Sequence, residues 1–521
     1  MIRIATTAGI SLVGMLMAGT ALAQNGVATD ARTSASQSGS FTIADRAVAI
    51  GREPAVFPFL SFIGSMPHVP AETGWNTTFT FVNKGMAAAT VDTNLFARDG
   101  TPLVLPLTLP QQQGDVLLTS TLGGIIAPNA TFVIEASSVI EAAGLVNTTA
   151  EGSAQLSADG TVDGFAIFHF DPDNQEAVVP METRNAASYL LAFDNTGGVL
   201  TGVALANVSA SMAIIPMTIR DDTGALVTTS SIVLAGSGHT SFVLSDPMWF
   251  PMTANIRGTV EFDTPPGGQI STLGIRYTPG PVGGTTTTIP ALANVSTAGG
   301  LMAHLAAGNG WETTFVLVNT GGAAAQAHLK FFDKGGNPLP LPLSFPQIGG
   351  GPSTATATLD QTIAAGASLW VRVTLPAGAA YEEGSAQLST DGNIGGFAIF
   401  RWDPNGQEAV VPLESRNAPS YLIAYDNTGG IVTGIAISGL SQFTTLVPVT
   451  LRDETGAVLN TGSIPLGPNG HRADTATNLF PQTAGIRGTI EFNAPQGAQI
   501  SILGIRTPPA LTFTTLPPLA P

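Results

Sequence analysis

Six charged residues recur at matching positions in two parts of the chain, and their types suit ion binding or acid–base chemistry. They are Glu176, Glu182, Arg184, Glu408, Glu414 and Arg416. Oxygen ligands on a short loop favour calcium, so a calcium site is one interpretation. A carboxylate pair can also act as the acid and base of a glycosidase, which is a second interpretation for Glu176 with Glu182. The third is structural: each arginine pairs with a junction carboxylate and locks one domain against the next.

Histidine and tryptophan form a second group of candidate binding residues. His68 and His304 are the histidines read as equivalent, and each precedes a matched tryptophan, Trp75 or Trp311. One interpretation is a ligand contact, in which an exposed tryptophan forms a flat platform for a sugar ring. The alternative is that the histidines lie in turns or between domains and that the tryptophans fill the core or a domain junction.

The sequence lacks the motifs that identify common catalytic sites. It contains neither His-Glu-x-x-His nor Gly-x-Ser-x-Gly, and no Gly-rich phosphate loop with lysine. It also has no cysteine, which excludes disulfides, thiolate nucleophiles and cysteine metal ligands. We therefore expect a non-enzymatic protein that has no catalytic residue and binds no metal or cofactor. The one exception is the calcium ion that the junction residues would hold if the first interpretation is correct.

Charge and composition limit the classes of partner. Of the 521 residues 44% are apolar, which is enough to build folded cores, and the net charge is −17. Nucleic-acid binding requires lysine and arginine to replace condensed counterions, so this acidic chain is not expected to bind nucleic acid.

An internal duplication organises the chain. Residues 74–79 (GWNTTF) recur as 310–315 (GWETTF), and about 70% of the positions in 151–202 match those in 383–434. A fainter similarity inside each block relates a first domain to a second. Together these repeats predict four domains in the order A1-B1-A2-B2.

Alternating apolar and polar residues predict strands rather than helices. Residues 78–82 (TFTFV) and 396–400 (GFAIF) alternate with period two, which turns one face of a strand inward. Asn-Gly, Asp-Gly and Asn-Thr-Gly-Gly turns separate such runs. The fold class is therefore all-β, with tandem antiparallel β-sandwich domains in a duplicated two-domain block.

The turn residues carry a family resemblance. Residues 82–85 (VNKG) end one strand in an Asn-x-Gly turn, and residues 365–367 (AGA) provide a Gly-containing link. This layout resembles bacterial immunoglobulin-like modules of the CARDB (cell-adhesion-related) type. The resemblance implies immunoglobulin-like (Ig-like) sandwiches.

The start of the chain predicts export. A basic start at Arg3 is followed by a mainly apolar stretch and by Ala21-Leu22-Ala23, which is typical of signal-peptidase cleavage. We expect no membrane span after cleavage and a secreted protein, extracellular or periplasmic. The predicted divisions are a signal peptide at 1–23, a flexible leader at 24–53, and sandwiches A1 at 54–183, B1 at 184–288, A2 at 289–415 and B2 at 416–521.

The links predict how the sandwiches are arranged. The Pro- and Gly-rich segment 279–287 favours a soft, protease-sensitive connection between B1 and A2, and hence an elongated monomer. Residues 514–520 repeat the pattern of 287–293 although no domain follows them. They either close B2 as an edge strand or dock head to tail on a neighbouring molecule.

These observations favour a secreted, non-catalytic structural or adhesive protein of the cell surface or extracellular space. Its expected partners are other surface proteins, polysaccharide or further copies of itself. A carbohydrate-binding module array is the first alternative, and a glycan-acting hydrolase is the second.

Overall fold

The computed structural model describes most of the chain beyond the predicted leader. The described residues are 60–72, 74–112, 116–137, 139–140, 145–146, 151–280, 283–293, 299–349, 351–510 and 512–520. The predicted signal peptide and flexible leader lie outside them.

The described chain is nearly all β-structure, arranged as antiparallel sheets that form tandem sandwiches, which confirms the predicted fold class. The Ig-like assignment stays a prediction. In the part of the chain that the structure describes, the helical segments are single turns: a short helix α1 (Ala476–Leu479) and two 3₁₀ turns, Pro251–Thr253 and Pro481–Thr483.

The first block contains the strands of A1 and B1. In A1 they are β1 (Ser61–Pro70), β2 (Trp75–Asn83), β3 (Ala89–Ala97), β4 (Leu105–Thr108), β5 (Leu117–Thr119), β6 (Thr121–Ile126), β7 (Thr131–Ser137), β8 (Val139–Ile140), β9 (Leu145–Val146), β10 (Glu151–Ala158), β11 (Val162–Phe170) and β12 (Gln175–Pro180). In B1 they are β13 (Ser188–Asp194), β14 (Leu200–Asn207), β15 (Ala213–Asp221), β16 (Leu226–Leu234), β17 (His239–Val243), β18 (Arg257–Asp263), β19 (Ile270–Gly280), β20 (Gly283–Ile289) and β21 (Leu292–Ala293).

The second block repeats this order. In A2 the strands are β22 (Gly299–Ala307), β23 (Trp311–Asn319), β24 (Ala325–Asp333), β25 (Leu343–Ser344), β26 (Thr358–Ile363), β27 (Ser368–Val373), β28 (Glu382–Thr390), β29 (Ile394–Trp402) and β30 (Gln407–Pro412). In B2 they are β31 (Ser420–Asp426), β32 (Val432–Leu440), β33 (Thr445–Asp453), β34 (Val458–Leu466), β35 (His471–Thr475), β36 (Arg487–Asn493), β37 (Gln499–Thr507) and β38 (Thr514–Leu516).

Each sandwich is built from two main sheets, and β8 and β9 of A1 form a separate two-stranded sheet. A1 has the orders β1-β10-β3-β6 and β12-β11-β2-β7-β4-β5, and A2 has β22-β28-β24-β26 and β25-β27-β23-β29-β30. B1 has β16-β15-β18-β13-β21 and β17-β14-β19-β20, and B2 has β31-β36-β33-β34 and β35-β32-β37-β38. The matching orders show that the duplication in the sequence is also a duplication of topology.

The sequence pattern explains the local structure. Along β15 the side chains of Ile215, Met217 and Ile219 are buried, and the residues between them are half-buried or exposed, as period two requires. The following turn is fixed by Asp221, whose Oδ1 accepts the backbone N–H groups of Thr223 and Ala225 at 2.9 and 3.0 Å.

Strand pairing extends B1 beyond the predicted boundary at 288. Strand β20 pairs with β19 through Ile289, and β21 pairs with β13. The segment predicted as a soft link at 279–287 is thus mostly strand, and its residues from Thr285 to Thr287 are buried. The expectation of a soft link without strand structure is wrong, because threonine provides β-propensity and hydroxyl groups in place of apolar anchors. The predicted protease sensitivity stays a prediction.

Neighbouring sandwiches share apolar contacts within each block. Leu273 and Ile275 of B1 belong to the buried cluster of A1, and Ala436 and Leu503 of B2 belong to that of A2. The A–B junctions are therefore packed interfaces.

Two further interfaces close the four sandwiches into a ring. Ile289 of B1 packs with Phe397 of A2, and Leu516 of B2 packs with Phe165 of A1. Strands β20 and β38 each contact both β12 and β30, so they lie where the four sandwiches meet. The expected elongated arrangement is wrong, because the last sandwich returns to the first.

Candidate functional site

Within each A–B junction, a glutamate and an arginine two residues apart form an ion pair. Arg184 donates from Nε and Nη2 to the carboxylate of Glu182 at 2.9 and 2.7 Å, and Nη2 also donates to the carbonyl of Ala291 at 3.0 Å. Arg416 binds Glu414 in the same way, with Nη2 at 2.5 Å, and reaches the carbonyl of Pro518 at 3.0 Å. These are pairings that the structural interpretation predicts.

The other two candidate glutamates face arginines across the ring. Glu408 of A2 accepts hydrogen bonds from Arg276 Nε and Thr278 Oγ1 of B1, both at 2.8 Å, and from Arg401 Nη1 at 3.1 Å. Arg276 also lies 3.4 Å from Asp194, so one buried guanidinium bridges two carboxylates. This network joins B1 to A2.

Glu176 occupies the equivalent place between A1 and B2. It accepts a hydrogen bond from Arg506 Nε at 3.0 Å, and His169 Nδ1 lies 3.5 Å from its other oxygen. Arg506 Nη1 contacts Asp426 at 3.5 Å. The main difference between the two networks is that His169 of A1 stands where A2 has Arg401.

Both interface glutamates are held in the charged form. Burial raises the pKa of the Glu408 and Glu176 carboxyls, but Arg276 at Glu408 and His169 with Arg506 at Glu176 outweigh it, and the net pKa of each is lowered. A glycosidase acid requires the opposite shift. The shift at Glu176 is therefore opposite to the one that the glycosidase interpretation requires.

The spacing also separates Glu176 from Glu182. Glu176 lies in β12, and Glu182 follows its end and bridges to Ser65 of the other sheet. At about 3.3 Å per residue, the Cα atoms of the two glutamates lie up to about 20 Å apart. Acid and base carboxylates of glycosidases lie within about 10 Å of each other. The glycosidase interpretation of this pair does not fit the structure.

A polar cavity of about 370 Å³ lies beside the B1–A2 network. Its charged and aromatic lining residues are Asp194, Arg257, Arg276, Glu312, Trp370, Arg372, Arg401, Asp403 and Glu408. Four arginines and four carboxylates balance in charge, and the Arg257 guanidinium lies 5.8 Å from the Trp370 ring centroid. In A1, strand register puts Val133 and Glu135 in the places of Trp370 and Arg372.

The matched tryptophans are packing residues. Trp75 is 5% exposed and its ring lies 4.8 Å from that of Phe170. Trp311 is half-buried, with ring centroids 5.0 Å from Trp402 and 5.2 Å from Phe513 of B2. Neither forms the exposed platform that the carbohydrate interpretation requires of it.

Four of the six histidines form two buried pairs, one in each A–B interface. His68 Nδ1 lies 3.1 Å from His239 Nε2, and His304 Nδ1 lies 2.9 Å from His471 Nε2. The view that only His68 and His304 are equivalent is wrong, since His239 and His471 both begin matching strands. Burial lowers the pKa of His68 and His304 to about 4, which keeps both imidazoles neutral at pH 7.

Sequence reasoning missed the residues that complete these contacts. Arg276 and Arg506 stand in the repeated Gly-Ile-Arg at 274–276 and 504–506. Because the chain has only 19 lysines and arginines in all, an arginine that recurs in both blocks is a usable signal. A systematic search for charged residues and histidines kept in both blocks would have found them, and would have found His239 and His471 as well.

No protein-family model matches the chain, and no curated protein matches it. Among the described residues, no helix has both the length and the apolar character that crossing a membrane requires. The functional argument therefore depends on the geometry of the interfaces and the outer faces.

Proposed function

We propose that the chain is a secreted, non-catalytic structural or adhesive protein that works as one rigid ring of four sandwiches. The observation that carries this proposal is that all six charged junction residues form ion pairs within the chain. Each binds a partner within the chain, and Glu176 and Glu408 bind across the interfaces that close the ring. Side chains engaged in this way hold domains together.

The outer sheets of the B sandwiches support an adhesive role. Ile214 and Val233 face each other across β15 and β16 and are 56% and 58% exposed. On B2, Leu446 of β33 is 60% exposed, and Phe443, in the turn before this strand, is 79% exposed. Exposed apolar side chains grouped on a face are typical of contact surfaces.

The proposal is tested with a tagged copy and a deletion strain. The tagged chain is expected in the surface or extracellular fraction, and cells without the chain are expected to attach less to surfaces or to each other. An Ile214→Asp/Val233→Asp variant should fail to restore attachment, while Leu118→Asp/Ile125→Asp, which adds the same charges at exposed positions of A1, should restore it. Retention in the cytoplasm, or unchanged attachment of the deletion strain, would overturn the proposal.

A carbohydrate-binding function is a second candidate, favoured by the cavity between B1 and A2. Its size, balanced charges and Trp370 suit a small polar ligand such as a charged sugar. Calorimetry with charged oligosaccharides should show binding that Arg372→Ala removes and Glu135→Ala, at the equivalent place of the other interface, does not. A parallel assay for released reducing ends would detect the hydrolase alternative.

A further inference from the structure

Two histidines and a glutamate converge inside the A1–B1 interface. His68 lies on β1, Glu151 on β10 and His239 on β17, and one nitrogen or oxygen of each lies within 4.8 Å of the others. All three are buried, at 7%, 8% and 1% exposure. The cluster therefore draws its members from both sandwiches.

The spacing of the two imidazoles suits a shared metal ion. Zn²⁺ binds histidine nitrogen at about 2.0–2.1 Å in tetrahedral geometry, which places two ligand nitrogens about 3.3 Å apart. His68 Nδ1 and His239 Nε2 are 3.1 Å apart. Neutral imidazole is also the form that binds metals, and burial lowers the pKa of both histidines.

Glu151 is a buried carboxyl with one oxygen that accepts no hydrogen bond. Glu151 Oε2 accepts a hydrogen bond from Ser241 at 2.7 Å, but Oε1 has no hydrogen-bond partner and lies 3.7 Å from Arg98 Nη2. Glu72, on which the charge of Glu151 acts, is buried as well. A divalent cation would offset this charge.

We propose that His68, Glu151 and His239 bind a divalent transition-metal ion, with Zn²⁺ the best fit, and that the ion joins A1 to B1. Two histidines and one carboxylate are a common zinc ligand set, and water would complete the coordination. The ion cross-links two sandwiches and so stabilises the ring.

The second block provides a natural control for this site. His304 and His471 form the same pair, but Gly308 and Ala473 stand in the places of Glu72 and Ser241. Glu383, which replaces Glu151, is half-buried, and among the described residues the three-ligand cluster occurs in the first block alone. We therefore expect one ion per chain.

The test uses the purified protein, stripped with a chelator under denaturing conditions and refolded with Zn²⁺ or Co²⁺ alone. Elemental analysis should give one ion per chain, and Co²⁺ should show the visible absorption of a tetrahedral site. His239→Ala should remove the ion, whereas His471→Ala, which breaks the matched histidine pair, should keep it. Glu151→Gln, a smaller change, should weaken Zn²⁺ binding more than tenfold.

Three results would overturn the proposal. They are refolded protein without a stoichiometric ion, an ion retained in both His239→Ala and Glu151→Gln, and equal loss of the ion in His239→Ala and His471→Ala. Thermal unfolding of each variant identifies any that fail to fold, and in that case Glu151→Gln decides. Attachment of cells does not enter this test, so its failure leaves the adhesive proposal unaffected.

Discussion

At the scale of single residues, the ring depends on a few buried charges. Arg276 is 9% exposed and stands between Glu408 and Asp194. Arg276→Gln leaves two buried carboxylates short of a cation, and we expect a loss of about 3 kcal/mol in the free energy of unfolding, measured by chemical denaturation. Arg372→Gln is the control, because Arg372 is 46% exposed in its pair with Glu312 and should cost less than about 1 kcal/mol. Equal losses would contradict this account.

A second prediction at this scale concerns pH. Burial lowers the pKa of His304 to about 4 and that of His471 to about 3, below the usual 6.5. The unfolded chain then binds more protons than the folded chain below pH 6.5, so stability falls as the pH drops through this range. Each histidine should remove about 2 kcal/mol between about pH 7 and about pH 5.

The double variant His304→Gln/His471→Gln isolates this effect. It should lose about 4 kcal/mol less than the unmodified protein over the same pH interval, whatever its stability at pH 7. Denaturation curves at several pH values provide the measurement. Parallel pH profiles for the two proteins would show that these histidines do not titrate on unfolding.

At the scale of elements, strands were predictable from the sequence and their partners often were not. Alternation along β15 follows from its own residues, whereas β20 (GGTTTTI) was misread as a linker because it has few apolar side chains. Its threonines bond to other sandwiches instead: Thr285 Oγ1 donates to the carbonyl of Gly406 at 2.9 Å, and Thr288 Oγ1 to that of Val178 at 2.6 Å. Contacts with residues more than 100 positions away leave no local pattern.

The C-terminal strand gives a prediction at the same scale. Strand β38 pairs with β37, as the edge-strand alternative predicts, and Leu516 and Leu519 pack against A1. Removing residues 511–521 should therefore lower the thermal midpoint and leave the protein monomeric in sedimentation. A full-length protein that self-associates and becomes monomeric on this deletion would instead support head-to-tail docking.

At the scale of the whole molecule, ring closure is a property that the repeat alone does not determine. The duplication predicts four sandwiches, and an open chain of them satisfies every local signal. Closure comes from pairs such as Arg506 with Glu176 and from apolar contacts such as Leu516 with Phe165, between the last sandwich and the first. Each closing interface joins buried charge to an apolar cluster, so both must open for the ring to open.

Small-angle scattering tests this closure directly. A compact chain of this length has a radius of gyration of about 24 Å, and the ring should lie near that value, whereas a linear row of four domains would exceed about 40 Å. Phe165→Asp with Leu516→Asp places two like charges in the A1–B2 cluster and should open that interface, because repulsion is added to the cost of burying each carboxylate. The radius should then increase, while circular dichroism should show that each sandwich keeps its strands.

Ile125→Asp with Leu118→Asp is the control, because it adds the same charge at exposed positions of A1 and should leave the radius unchanged. A large radius for the unmodified protein would contradict the ring, and an unchanged radius for the Phe165 and Leu516 variant would show that the other three interfaces hold it closed.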